Sequence, residues 1–335
     1  MSQRRVFILL IASLLSAGSV LSPRSSFAES TGPMPPGADL FASAILSETG
    51  RIVVGDRGRI FLSGDAGATW KAVESNTRQP LASVCFPDQL HGWISGQGGL
   101  VLHSADGGNT WVAQASGVSS YLMALDFLDP DKGIAVGADS AAILTADGGK
   151  TWTRSFFQVS TESEAGLNLF AVAMIDSQRI CVAGDKGRIF LTEDGGQSWV
   201  EAKSPLYDPE KMRARAVYSL ALDSGTLYAV GLEGAFVFSK DLGKTWHEAD
   251  TGLAGATFYC LDVVQGIGFA AGSGGRIIRT SDGGLTWQVL QVPEETTRSW
   301  LSGISLRKLA DGTVTGLIVG QNGAVGRFQD GKINW

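Results

Sequence analysis

One eight-residue pattern recurs along the chain and constrains its fold more than any other feature. Ser104-Ala105-Asp106-Gly107-Gly108-Asn109-Thr110-Trp111 returns at 145–152, 192–199 and 280–287 with Asp-Gly-Gly kept. Looser copies stand at 63–70 and 239–246, carrying Asp65-Ala66-Gly67 and Asp241-Leu242-Gly243, and a decayed seventh is read at the end, with Asp330-Gly331 before Trp335. The tryptophans fall at 70, 111, 152, 199, 246, 287 and 335, at spacings of 41, 41, 47, 47, 41 and 48. Seven units of that period predict an all-β chain, a seven-bladed β-propeller built on these octads. Composition agrees: 44 of 335 residues are Gly, roughly twice ordinary usage, as many tight turns between short strands require.

Each unit parses into four strands; in the second they are 81–86, 92–95, 100–104 and 111–114. A Gly pair precedes the third strand in nearly every copy (Gly55/Gly58, Gly96/Gly99, Gly184/Gly187, Gly231/Gly234, Gly272/Gly275, Gly320/Gly323), where positive φ suits a tight turn. The third copy, Gly137-Ala138-Asp139-Ser140, lacks the second Gly. In the first strands one column reads Ser43, Ser83, Ala124, Ala171, Ser219, Cys260 and Gly303, all small. The next reads Ala44, Val84, Leu125, Val172, Leu220, Leu261 and Ile304, all apolar. The small column is expected at the crowded inner strand, which makes Cys260 a small residue in a ring and Cys85 and Cys181 ordinary strand residues. Because Trp335 ends the chain, residues between Glu29 and Leu40 are expected to complete the last sheet and close the ring.

The octads are read as a folding device. In Asp65, Asp106, Asp147, Asp194, Asp241 and Asp282 the carboxylate can accept turn N–H groups, Gly permits the reversal, and Trp packs on the neighbouring sheet. Equivalent positions repeated around a ring do not make one active site, so no catalytic residue is assigned. One carboxylate per octad does not make a calcium site, and His91, His103 and His247 occupy unrelated repeat positions, so no metal or cofactor is expected.

The N-terminus has the form of an export signal. Arg4 and Arg5 precede the apolar run 6–21, and Ser26-Phe27-Ala28 supplies small residues for cleavage after Ala28. The expected organisation is a signal peptide at 1–28, an N-terminal segment at 29–37 and the propeller at 38–335. Cleavage removes three Arg and no acid, leaving 24 Lys+Arg against 33 Asp+Glu, a net charge of −9. Such a chain is ill suited to nucleic acid, whose binding depends on phosphate neutralisation. A soluble, exported monomer is the expectation.

With an export signal, seven units and the pattern Gly-x-x-Gly-x-Ile…Thr-x-Asp-Gly-Gly-x-Thr-Trp, best kept at 184–199 and 272–287, the chain resembles the photosystem II stability/assembly factor family. The octad is its Asp-box, or BNR repeat, shared with sialidases, sortilin-like receptors and xyloglucanases. The resemblance implies a non-enzymatic lumenal or periplasmic scaffold that holds a membrane-protein intermediate during assembly. The lipid-anchor Cys typical of cyanobacterial members is missing, which favours a related bacterial role. A sialidase reading lacks support, because Arg59-Ile60, Arg188-Ile189 and Arg276-Ile277 are never followed by Pro.

Propeller topology places the fourth-to-first connections and the second-to-third turns on one face, where Arg57, Arg188, Arg213, Arg215, Arg276 and Arg298 are expected to bind the partner. Arg59, Arg154, Lys186, Lys203 and Lys211 add to that face, while Glu162 and Glu164 oppose it. Phe156, Phe157, Tyr207, Tyr218, Tyr259 and Trp300 lie near the rim; Arg beside aromatics is the composition of binding hot spots. A membrane- or envelope-protein partner with an acidic segment is the leading expectation. The alternatives are a carbohydrate-binding or glycoside-hydrolase-like propeller and an accessory subunit of a cell-envelope transport system.

Overall fold

A computed structural model describes residues 32–157, 166–208, 213–249, 251–253, 255–294, 299–329 and 332–335. Seven antiparallel four-stranded sheets follow one another along the chain, each a meander in sequence order. Blade 1 consists of Leu40–Ile45, Arg51–Gly55, Ile60–Ser63 and Lys71–Val73, and blade 2 of Leu81–Cys85, Gly92–Gly96, Val101–Ser104 and Val112–Gln114. Blades 3 to 6 begin at Leu122, Leu169, Val217 and Phe258, and blade 7 runs from Leu301–Lys308 to Lys332–Asn334. The chain is thus a seven-bladed propeller.

The apolar side chains explain where the core sits. Second strands such as Ile180–Gly184 are buried along their length, because both faces of each blade are covered by neighbours. Buried residues fall into seven clusters, and each spans the seam between two successive blades. Trp111 of blade 2 packs with Ile52 and Val54 of blade 1, and Trp70 of blade 1 with Leu317 and Val319 of blade 7.

The octad turn that delivers each tryptophan is a closed hydrogen-bond network. In blade 2 the Ser104 hydroxyl donates to Asp106 Oδ1 (2.8 Å) and accepts the buried Gly108 N–H (2.9 Å). The carboxylate accepts the Thr110 N–H on Oδ1 (2.9 Å) and the Thr110 hydroxyl on Oδ2 (2.7 Å). The same bonds recur around Asp65, Asp147, Asp194, Asp241 and Asp282. The buried amide is therefore satisfied by the hydroxyl at the first octad position, while the Asp ties down an exposed strap. Gly108 needs its φ of +85°, and a Cβ there would press on Ile52 of the preceding blade.

The structure corrects three sequence expectations. Blade 7 carries its own fourth strand, Lys332–Asn334, paired Gln329↔Lys332, so Trp335 follows that strand, whereas octad tryptophans precede theirs; Asp330 and Gly331 lie outside the described residues. Hence six octads stand among the described residues, and residues 32–39 do not complete the last sheet: Gly32 exchanges backbone bonds with Trp70 of blade 1 (2.7 and 3.2 Å), while 29–31 lie outside the described residues. Blade 1 was also one residue out of register. A bulge at Phe41, repeated at the same place in every first strand, puts Ala42 in the small column, and Ser43 then interrupts the apolar one. Ser43 hydrogen-bonds Ser305 of blade 7 (3.0 Å), and Arg307 donates to the Ile45 and Leu46 carbonyls, so side chains close the ring.

Near the axis, carboxylates also tie blades together. Asp126 of blade 3 accepts the Met174 N–H of blade 4, and Asp262 of blade 6 the Leu306 N–H of blade 7, both at 2.7 Å. Burial pushes both carboxyls up to about 6 against these bonds. Turn hydrogen bonds hold Asp65 and Asp282 down at about 2.

Two stability tests follow from this chemistry. Ser104→Ala leaves the buried Gly108 N–H unpaired and is expected to cost about 1–3 kcal/mol, read by urea unfolding. Asp147→Ala, whose amide partner Thr151 is exposed, should cost less; the reverse order refutes this division of labour. Between about pH 4 and 6 the folded chain binds more protons than the unfolded one at Asp126 and Asp262, so stability falls as pH rises through that window. Below about 4 the octad carboxylates lose their advantage and stability falls again. Thermal melts from pH 3 to 8 should therefore peak between pH 4 and 5. Asp262→Asn should lower the melting temperature yet flatten the alkaline limb, and an unchanged slope would refute the assignment.

Candidate partner-binding face

The seven second-to-third turns are built alike. Each has three residues whose middle one is exposed and left-handed: Arg57, Gly98, Asp139, Lys186, Glu233, Gly274 and Asn322, with φ between +52° and +72°. The first Gly of each pair answers to close approach: a Cβ on Gly55 would sit 2.0 Å from the Asp39 carbonyl oxygen. The second Gly answers to positive φ, and where it is missing Ser140 takes φ +55°. Around the ring the middle residues carry two positive and two negative charges, so the face is mixed in sign.

The predicted cations part company here. Arg57 is exposed, its side chain 71% accessible, with the buried Asp56 carboxylate 3.5 Å away. Arg276 and Lys186 are exposed. Arg188, expected on the surface, is 2% exposed and belongs to the interior: its guanidinium pairs with Glu201 and lies over the rings of Phe190 and Tyr207 at 5.4 and 5.3 Å. Arg215 is largely covered and pairs with Glu248. Arg213 lies in a small ribbon, Tyr207–Asp208 against Arg213–Ala214, and its side chain is outside the described atoms. Arg298, Lys211, Glu162 and Glu164 lie outside the described residues.

The aromatics sort similarly. Phe157 packs on Trp199 and Phe190 within a seam, and Tyr207 lies beneath Arg188, so both are structural. Phe156 is exposed. Tyr218 and Tyr259 meet across adjacent blades at 5.8 Å, Phe170 joins Tyr218 at 5.4 Å, and Trp300 stacks on Phe41 at 5.8 Å. Phe41, Phe170, Tyr218 and Tyr259 are bulged residues of the first strands, which places their half-buried rings at the channel mouth. Sequence reasoning missed Phe41 and Phe170; the column just before the small one was the available signal. Burial, with Tyr259, Asp185 and Glu233 nearby, pushes the Tyr218 phenol well up.

His91 stacks with His103 at 6.3 Å and bonds Asp88 at 2.8 Å, a proximity the repeat positions did not reveal. Among the described residues no three His, Cys, Asp or Glu side chains gather as a metal site, and no helix is long and apolar enough to cross a membrane.

The sequence matches the family described as Photosynthesis system II assembly factor YCF48 over residues 39–116 and 113–258. No match is found among curated proteins. The fold is similar to a structure described as YCF48 bound to D1 peptide, at 19% identity and TM-score 0.66, covering 94% of this chain and 99% of that one. It is similar to YCF48 from Cyanidioschyzon merolae at 17% identity and TM-score 0.68, covering 90% and 98%. An ancestral GH74 enzyme gives 14% identity and TM-score 0.70, covering 92% of this chain but only 47% of the enzyme.

Removing the Arg188 guanidinium strips a seam of its ion pair and two ring contacts. Arg188→Met is expected to cost about 3 kcal/mol, the lower end for a broken buried pair because Glu201 keeps access to water. Partner capture by the folded fraction should not change. Normal unfolding with lost capture would return Arg188 to the binding surface.

Proposed function

The chain belongs to the Photosynthesis system II assembly factor YCF48 family, and from that premise we propose that it is an exported, non-enzymatic scaffold. In this reading it holds a segment of a membrane or envelope protein against the face made by the second-to-third turns. The family match carries the proposal, and a peptide-bound relative of the same fold supports it. Of the six arginines expected to bind the partner, Arg57 and Arg276 are the described ones that remain exposed, and they are proposed to meet acidic groups of the partner, with Arg213 and Arg298 assigned to the same role. Arg offers paired N–H donors to carboxylates, and clustered cations speed association in a salt-dependent way. Export rests on the N-terminal signal pattern at 1–28 and would place the protein in the periplasm, or in the thylakoid lumen of a photosynthetic organism. The likeness to the GH74 enzyme is one of blades, over about half that chain, and assigns no catalytic residue here.

The test is a pull-down from detergent-solubilised membranes at low and high salt, comparing wild type with Arg57→Glu/Arg276→Glu. Recovery of the partner is expected to fall about tenfold at low salt, equivalent to roughly 1.4 kcal/mol, and less at high salt, with the melting temperature unchanged. Equal recovery at both salt concentrations would remove the Arg face from the proposal.

A further inference from the structure

The charges of the second-to-third turns are separated around the ring. At the second-to-third turns of blades 6, 7 and 1 stand Arg276 and Arg57, and the acids beside those turns are engaged: Asp56 pairs with Arg59 and Arg57, while Asp39 accepts the Asn322 N–H. At the turns of blades 3 to 5 stand the exposed Asp139 and Glu233, opposed by Lys186, while half-buried Asp185 is engaged by the Asn168 N–H and side-chain amide; the exposed Arg154 and Lys203 stand in the fourth strand of blade 3 and just after that of blade 4. This acidic arc flanks the contiguous rings of Phe170, Tyr218 and Tyr259. Glu233 is held near them, because its backbone N–H bonds Thr257 Oγ1 at the start of blade 6 (3.2 Å). Aromatic faces bordered by carboxylates are the chemistry that recognises a guanidinium or ammonium group, since ring quadrupole and carboxylate both attract a cation.

Building on the scaffold reading, we infer that the half of the channel mouth formed by blades 3 to 6 takes a basic side chain of the bound segment, on Tyr218 and Tyr259 with Glu233 beside it and Asp139 farther along the same arc. The partner segment therefore carries an acidic and a basic group a mouth's width apart.

The two readings give opposite signs in one experiment. The probes are a short, labelled, Gly/Ser-based peptide bearing Asp at one end and the same peptide with Arg added at the other, titrated into the full mature chain at low salt. If the face recognised only acidic groups, the added Arg would weaken binding. Here it is expected to tighten binding about tenfold. Asp139→Lys/Glu233→Lys should abolish that gain without weakening the Asp-only peptide, and Tyr218→Leu should reduce it. Both charged positions are exposed, so the double variant tests the inference even if Tyr218→Leu folds poorly. An Asp peptide that binds and gains nothing from Arg overturns this inference and leaves the scaffold reading standing. An Arg gain that survives the double variant also overturns it. Binding of neither peptide by wild type overturns both.

Discussion

The structure depends on one contact made repeatedly: an octad turn of one blade pressed against the blade before it. A four-stranded sheet buried on both faces has no stability of its own, because its apolar surface is covered only when neighbours stand on either side. The octad makes that cover rigid. Its hydroxyl joins the Asp carboxylate to a buried Gly N–H, the Gly lets the turn lie flat on the preceding blade, and the Trp fills the space beneath. Gly196 lies on Leu144, Gly243 on Leu191 and Gly284 on Tyr228, each across a seam. A carboxylate already accepting three hydrogen bonds to shape a turn has little capacity left for a substrate, so these acids belong to architecture.

The seam between blades 6 and 7 shows what replaces an octad when one is absent. Phe269 and Phe328 meet edge to face at 4.6 Å, and Arg279 spans both rings at 5.9 and 5.6 Å. Asp262 adds its bond to the Leu306 N–H near the axis. Aromatic area and a cation over two rings thus supply on one seam what a Trp-bearing turn supplies on the others. The next seam, between blades 7 and 1, recovers the octad of blade 1, with Gly67 close to Arg327, and needs no shared strand to close.

Architecture was legible in the sequence because it is periodic; the binding face was less so because it is made of exceptions. Tryptophan spacing and Gly pairs located every blade. Register in blade 1 escaped because Ala42 and Ser43 are both small, so residue type does not reveal the bulge at Phe41. Trp335 mimicked the octad position because only strand pairing shows that a fourth strand precedes it. Arg188 read as a surface cation because its position in the turn is shared with exposed Arg276. What buries it is Glu201 and the Tyr207 ribbon, which belong to blade 4 and the connection leaving it.

The turn residues add a last physical argument for where function lies. Gly98 and Gly274 show that the middle position accepts glycine without strain. Asn322 and Asp139 tolerate left-handed φ better than most residues. Arg57, Lys186 and Glu233 do not, and each is held there at a cost of roughly 1–2 kcal/mol relative to a relaxed conformation. Glycine would hold the same turn at lower cost, as it does at Gly98 and Gly274. Strain retained with an exposed, charged side chain points to what the side chain does beyond the fold. The three lie on one rim, two cations and one anion, an arrangement of charge that the net charge of the chain does not describe.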